Sequence, residues 1–142
     1  MRKTNQKGFT IIELLVVIVI IGILVALALP QLFAAQARGR DTDRKNDMKN
    51  LQTKLETYFN DNDKYPSATE LTSTGGFEGA DISADDMKGP RNTTYTYTPS
   101  NNDQSYVLST NLENKKDPAV SNHNTGLYEV KSVNKVETTP AP

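Results

Sequence analysis

The sequence contains no cysteine, which excludes disulfides, thiolate metal sites and a cysteine nucleophile together. It has one histidine, His123, and with no cysteine and no paired carboxylate close by in sequence, this residue reads as a solvated loop side chain rather than a ligand or a catalyst. No GKS or GKT phosphate loop, no serine nucleophile elbow and no zinc spacing occurs. No cofactor or metal is therefore expected, and an enzyme is the least expected class. Acids are absent from the first twelve residues and all charge is absent from Leu14 to Leu29.

That last gap belongs to an apolar run, Phe9 to Leu29, broken only by Thr10, Glu13 and Gly22. At about 1.5 Å per residue it reaches roughly 30 Å, enough to cross a bilayer core. A carboxylate inside a membrane helix costs about 2.5–3.5 kcal/mol at the centre and less near an end. Glu13 is therefore read as functional. Arg2, Lys3 and Lys7 precede the run without an acid among them, a bias that holds the amino terminus in the cytoplasm and sends the head outward. The remainder suffices for one small domain and not two. Without residues 1–8, 13 basic side chains face 17 acidic ones, a balance of −4, which does not suit direct nucleic-acid binding.

Two other readings of the leader exist. One is a secretory signal peptide cleaved after Ala26-Leu27-Ala28, for which the run is longer than the usual apolar region of about 7–15 residues. The other is a plain uncleaved anchor carrying a monomeric extracytoplasmic binding module.

Lys7-Gly8 followed by Phe9-Thr10-Ile11-Ile12-Glu13-Leu14-Leu15 resembles the processing site of the type IV pilin family, which includes the pseudopilins of type II secretion and DNA-uptake machines. Four features coincide: Gly before the cut, Phe after it, Glu five residues into the mature chain, and an uninterrupted apolar run. The resemblance covers residues 1–38 closely and the head only in layout. It implies that a prepilin peptidase cuts between Gly8 and Phe9 on the cytoplasmic side and methylates the Phe9 amine. It also implies a homopolymeric filament built through the anchor helices by an inner-membrane assembly platform with a separate motor ATPase. The chain would be a single-pass protein of the cytoplasmic membrane first and part of a surface pilus afterwards, supporting adhesion, twitching motility or DNA uptake. A pseudopilin is the alternative within the family.

The residues themselves agree with this. Gly8 offers a peptidase no side chain and resists helix weakly. The new Phe9 amine of one copy and the Glu13 carboxylate of a neighbour can neutralise each other where an unpaired charge is costly. Gly22 and Pro30 are the helix-weakening positions, and Pro30 predicts a kink or break near Leu29. Pro30 either marks only the end of the span or, as the resemblance implies, closes a Gly22–Pro30 stretch that loses helix on assembly.

Beyond Pro30 the helix resumes. Asp41 lies three residues before Arg44 and four before Lys45, a pattern read as a solvated face. Met48, Leu51, Leu55, Tyr58 and Phe59 recur at three- and four-residue spacing and form the stripe on which the head packs. Asn60-Asp61-Asn62-Asp63 and Tyr65-Pro66 end the helix near Asn60. The stretch from Pro66 to Pro90 reads as loop, with isolated Leu71, Phe77, Ile82 and Met87, a helical turn near Ala84 to Lys88, and solvated Asp81, Asp85 and Asp86. Tyr95 to Thr98 and Ser105 to Thr110 read as a hairpin around Pro99 to Asp103. Leu127 to Lys131, running on through Val133 to Val136, reads as a third strand. About two of the six tyrosines are expected on the surface. Asn92-Thr93-Thr94 is a weak sequon match.

The expected class is α+β, the pilin fold: a long amino-terminal helix packed on a carboxy-terminal antiparallel sheet of about three strands. Its parts are a leader 1–8, an apolar helix 9–29, an amphipathic continuation 30–60, a head 61–137 and a disordered tail 138–142.

Overall fold

The computed structural model describes residues 8–72 and 75–134. The basic leader residues Arg2, Lys3 and Lys7, the strand extension to Val136 and the tail 138–142 lie outside them. Its first element is helix α1, Ile11–Asn62, 52 residues long. Five strands follow: β1 (Lys88–Gly89), β2 (Thr93–Thr94), β3 (Thr96–Ser100), β4 (Ser105–Asn111) and β5 (Leu127–Lys131). The class is α+β, as expected. The chain divides into two compact units, Met1–Gln36 and Ala37–Pro142.

In the first unit α1 runs unbroken through the position where a kink or break is expected: Leu29 and Pro30 are both helical. Proline removes one donor, the bond to the carbonyl four residues back, and with helix nucleated on both sides this local loss does not end the element.

The second unit is built on the carboxy-terminal part of α1. Met48, Leu51 and Leu55 are fully buried, with Tyr58 and Phe59 half-buried beside them, so the predicted stripe is the core-facing one. The helix continues two residues beyond the expected end. Asn62 donates to the Tyr58 carbonyl at 3.0 Å, and the Asp63 amide donates to Phe59 at 2.8 Å with a left-handed φ of 56°. That backbone conformation just past the last turn is what ends a helix.

β3, β4 and β5 form one antiparallel sheet in the order β3-β4-β5, with Tyr97 opposite Leu108 and Leu108 opposite Val130. Alternation along β4 places Tyr106, Leu108 and Thr110 inside, as period-two patterning requires. β5 ends at Lys131, and Val133 is exposed rather than part of a strand. β1 and β2 pair as a second, two-stranded sheet that the sequence reading lacks. The loop Asn111 to Leu127 is closed by Gly126, whose carbonyl accepts the Leu112 amide at 2.8 Å. Its φ of +80° and the Leu112 carbonyl lying where a Cβ would go both demand glycine.

Two corrections concern the head. The stretch 66–90 is mostly loop, as expected, but its isolated apolar residues join the core: Leu71, Ile82 and Met87 are buried and Phe77 packs against the same cluster. The turn expected near Ala84 is present, with the Lys88 amide donating to Asp85 at 3.0 Å. Of the six tyrosines, Tyr65, Tyr95, Tyr97 and Tyr106 are buried and Tyr58 and Tyr128 half-buried, so none stands on the surface.

Candidate assembly and processing site

The start of α1 is organised by two side chains. Thr10 is the residue before the first helical one; its Oγ1 accepts the Glu13 amide at 3.3 Å while the Glu13 Oε2 accepts the Thr10 amide at 2.8 Å. The Thr10 hydroxyl also donates to Glu13 Oε2 at 2.8 Å. This reciprocal arrangement is a capping box, satisfying two amides that the first turn leaves without partners. The sequence signal, Thr-x-x-Glu before an apolar run, was available, but the reading above treats Thr10 only as a polar interruption. Glu13 therefore has a role within its own chain before any neighbour arrives.

Upstream, Gly8 is exposed and outside the helix, and a Cβ there meets nothing within 4 Å. Gly22 is likewise open on all sides. The chain's own packing demands neither glycine. Phe9 is 82% exposed, and the large apolar side chains onward to Phe33 are all exposed, down to 42% at Leu29. Among the described residues, one helix, α1, is long and apolar enough to cross a membrane. A surface of this kind leaves water for lipid or for other apolar helices, at about 25 cal/mol per Å² removed.

The comparisons bear on this segment. A family model described as the prokaryotic N-terminal methylation motif matches residues 3–29. Type II secretion system core protein G of Pseudomonas aeruginosa is 41% identical over 70 residues, 49% of each chain. Type IV major pilin protein PilA of Myxococcus xanthus is 42% identical over 61 residues, 43% of this chain and 28% of that one. The type IV wide pilus major component PilA4 of Thermus thermophilus is 46% identical over 63 residues, 44% of this chain and 48% of that one. The amino-terminal region is thus similar to that of type IV pilins and of the type II secretion pseudopilins. The matches span about half or less of the curated relatives, and no solved structure matches the chain.

Within the head, the charges read as a solvated face form a buried network instead. Asp41 and Arg44 are 2% and 3% exposed, and the Asp41 Oδ1 accepts Arg44 Nη1 at 2.7 Å and the Glu113 amide at 2.8 Å. The other oxygen, Oδ2, accepts the Asn114 amide at 2.8 Å. Arg40 forks onto Glu113 at 2.8 and 2.6 Å, and Arg44 Nη2 reaches the same carboxylate at 3.0 Å. The Arg40 fork foremost, with Arg44 behind it, holds the Glu113 carboxyl down at about 2. The reason for burial is that the segment after β4 crosses the helix here with two amides in need of acceptors. Lys45 is tied to Asp117 at 2.6 Å, an ion pair that lowers the Asp117 carboxyl.

The buried phenols also find helix carboxylates. Tyr65 and Tyr106 donate to Glu56 at 2.7 and 3.0 Å, and Tyr95 donates to Asp47 at 2.7 Å. Burial above all pushes these three phenols, and Tyr97, upward from the ordinary tyrosine value. Of the acids read as solvated, Asp81 and Asp85 are exposed, but Asp86 receives Lys54 at 2.9 Å. His123 is exposed and donates from Nδ1 to the Lys115 carbonyl at 2.6 Å. Among the described residues, no group of three or more His, Cys, Asp or Glu is placed to hold a metal ion.

Proposed function

We propose that this chain is a structural, non-enzymatic subunit of a type IV pilus. It is held as a single-pass protein of the cytoplasmic membrane, amino terminus inside and head outside. It is cut between Gly8 and Phe9 by a separate prepilin peptidase, which methylates the Phe9 amine. It polymerises through its apolar helix, with Glu13 of one copy meeting the Phe9 amine of the next and Gly22–Pro30 as the stretch that yields on assembly. A separate platform and motor ATPase drive the process. The observation that carries this reading is the surface from Phe9 to Phe33, uncovered within the chain and apolar apart from Thr10, Gln31 and one acid a turn from the proposed cut.

A second reading, a pseudopilin of a type II secretion machine, is favoured by the similarity to core protein G from several bacteria. Amino-terminal sequencing of the native protein tests what the two readings share: a start at methylated Phe9 supports both, whereas an intact Met1 sinks both and leaves the monomeric anchored module. Imaging of sheared surface material then separates them, since long fibres made mainly of this chain exclude the pseudopilin. Glu13→Ala is expected to insert and be processed normally but to assemble poorly, and a normal filament yield from it removes the role given to Glu13.

A further inference from the structure

The two flanks of the helical face turned away from the head core carry opposite charge. Hydrogen bonds fix which part of the head lies along each. On one flank, Lys45 bonds Asp117, Gln52 bonds the Lys131 carbonyl and Glu56 accepts the Val133 amide, so the segment 112–133 runs there. On the other, Asp47 accepts from Tyr95 and Lys54 reaches the Asp81 carbonyl and Asp86, so the segment 77–95 runs there. At about 100° per residue Arg38 and Lys49 fall on the first flank and Asp43 and Asp61 on the second.

The first flank exposes Arg38, Lys49, Lys115, Lys116 and Lys131. The second exposes Asp43, Asp61, Glu78 and Asp81, and Glu78, Asp81 and Asp61 line one open groove with Lys54 and Tyr58. None of these nine side chains forms an ion pair among the described residues. The minority charges are Arg91 and Lys88 in the acidic segment, the latter paired with Asp85, and Glu113 and the half-buried Glu129 in the basic one, Glu113 being held by Arg40 and Arg44. The acids and bases closest to the helix are already matched within the chain, as Lys45 with Asp117 and Lys54 with Asp86; among the outer ones Lys88 and Asp85 pair with each other, whereas the nine named above do not.

We propose that the basic flank of one head docks against the acidic flank of a second copy of this chain. Such a contact is heterologous, since it uses two different patches, and so it propagates rather than closing on itself. Opposite signs on two sides of one helix match a neighbour placed beside it. Like flanks repel, which disfavours symmetric pairing and so sets the direction of growth. Screening limits the attraction to about 8 Å at physiological salt, so it acts as the flanks come together and weakens in high salt. The inference rests on the filament reading and names the head surfaces that reading leaves open.

The experiment uses two full-length variants, one with Arg38→Glu, Lys49→Glu and Lys116→Glu, and one with Asp43→Lys, Asp61→Lys and Glu78→Lys, enough reversals to change the sign of each flank. All six positions are exposed, so urea midpoints are expected to match the parent. The first variant is acidic on both flanks and the second basic on both. Each alone is expected to lower the yield of sheared filament by about tenfold at low salt. Co-expressed, they alternate and restore it. A parent that forms no filament overturns the filament reading and this interface with it. Parent filaments with both variants assembling normally, or with no recovery in the mixture, overturn the interface alone.

Discussion

Asp41 and Arg44 meet at 2.7 Å one helical turn apart, with their side chains only 3% and 4% exposed. A pair sealed in this way gives little net stability relative to apolar residues of the same size, but removing one partner strands the other. Asp41→Ala leaves Arg44 without its shortest contact and frees the amides of Glu113 and Asn114. The expected loss is about 3–5 kcal/mol. Urea unfolding of the full chain in detergent, followed by tyrosine emission because the sequence has no tryptophan, measures it. A loss within about 0.5 kcal/mol, the range of ordinary surface substitutions, contradicts the burial described.

Glu113 makes acid stability predictable. Its carboxyl sits at about 2, against an ordinary 4.5. A carboxyl depressed by folding contributes stability that is complete above its unfolded value and disappears as pH falls through its folded one. Stability is therefore expected to decline from about pH 4.5 to about pH 2, with Asp117, also lowered, acting in the same direction. Glu113→Gln should remove part of the slope in that window and leave the slope above pH 5 unchanged. Identical slopes in parent and variant would show that the Arg40 fork is not formed in solution.

These two predictions also mark what was legible in the sequence. Met48, Leu51 and Leu55 were legible because helical periodicity reports which residues share a face, and β3 to β5 because period-two runs stood between turn formers. Asp41 and Arg44 have the same three-residue spacing as a solvated pair, and nothing local distinguishes the two cases. Only the crossing of 112–117 over the helix, a contact about 70 residues away in sequence, decides it. Leu71, Ile82 and Met87 were missed because single apolar residues in a Ser- and Asp-rich stretch have no period to read. β1 and β2, two residues each, are too short to carry a pattern.

The buried tyrosines give the alkaline counterpart. Tyr65, Tyr95, Tyr97 and Tyr106 are all raised above the ordinary value of 10, chiefly by burial. In the unfolded chain they lose protons near pH 10, while in the folded head they keep them. Stability is thus complete below pH 10 and falls as pH rises above it. Tyr106→Phe removes one of these phenols and its bond to Glu56. At neutral pH it should cost about 1 kcal/mol and make the alkaline decline shallower. A variant that loses stability above pH 10 as steeply as the parent contradicts the burial of Tyr106.

Thr10 separates the capping contact of Glu13 from the assembly role proposed for it. Thr10→Val keeps the shape and the β-branch but removes the hydroxyl, so the Glu13 amide loses its acceptor while the Thr10 amide still donates to Glu13 Oε2. Loss of a threonine cap costs about 0.5–2 kcal/mol of helix stability, and the first turn should fray. The proposed cut between Gly8 and Phe9 lies upstream of every atom in the box, so processing is expected to proceed as in the parent. Exchange of the Glu13 amide in micelles should accelerate in Thr10→Val and remain slow in Thr10→Ser, which retains the hydroxyl. Filament yield then tells whether the intramolecular bond holds the carboxylate ready for a neighbour or competes with one: a fall in Thr10→Val indicates holding, and a rise indicates competition. Equal exchange in the valine and serine variants would mean that the box does not form in the lipid-bound chain.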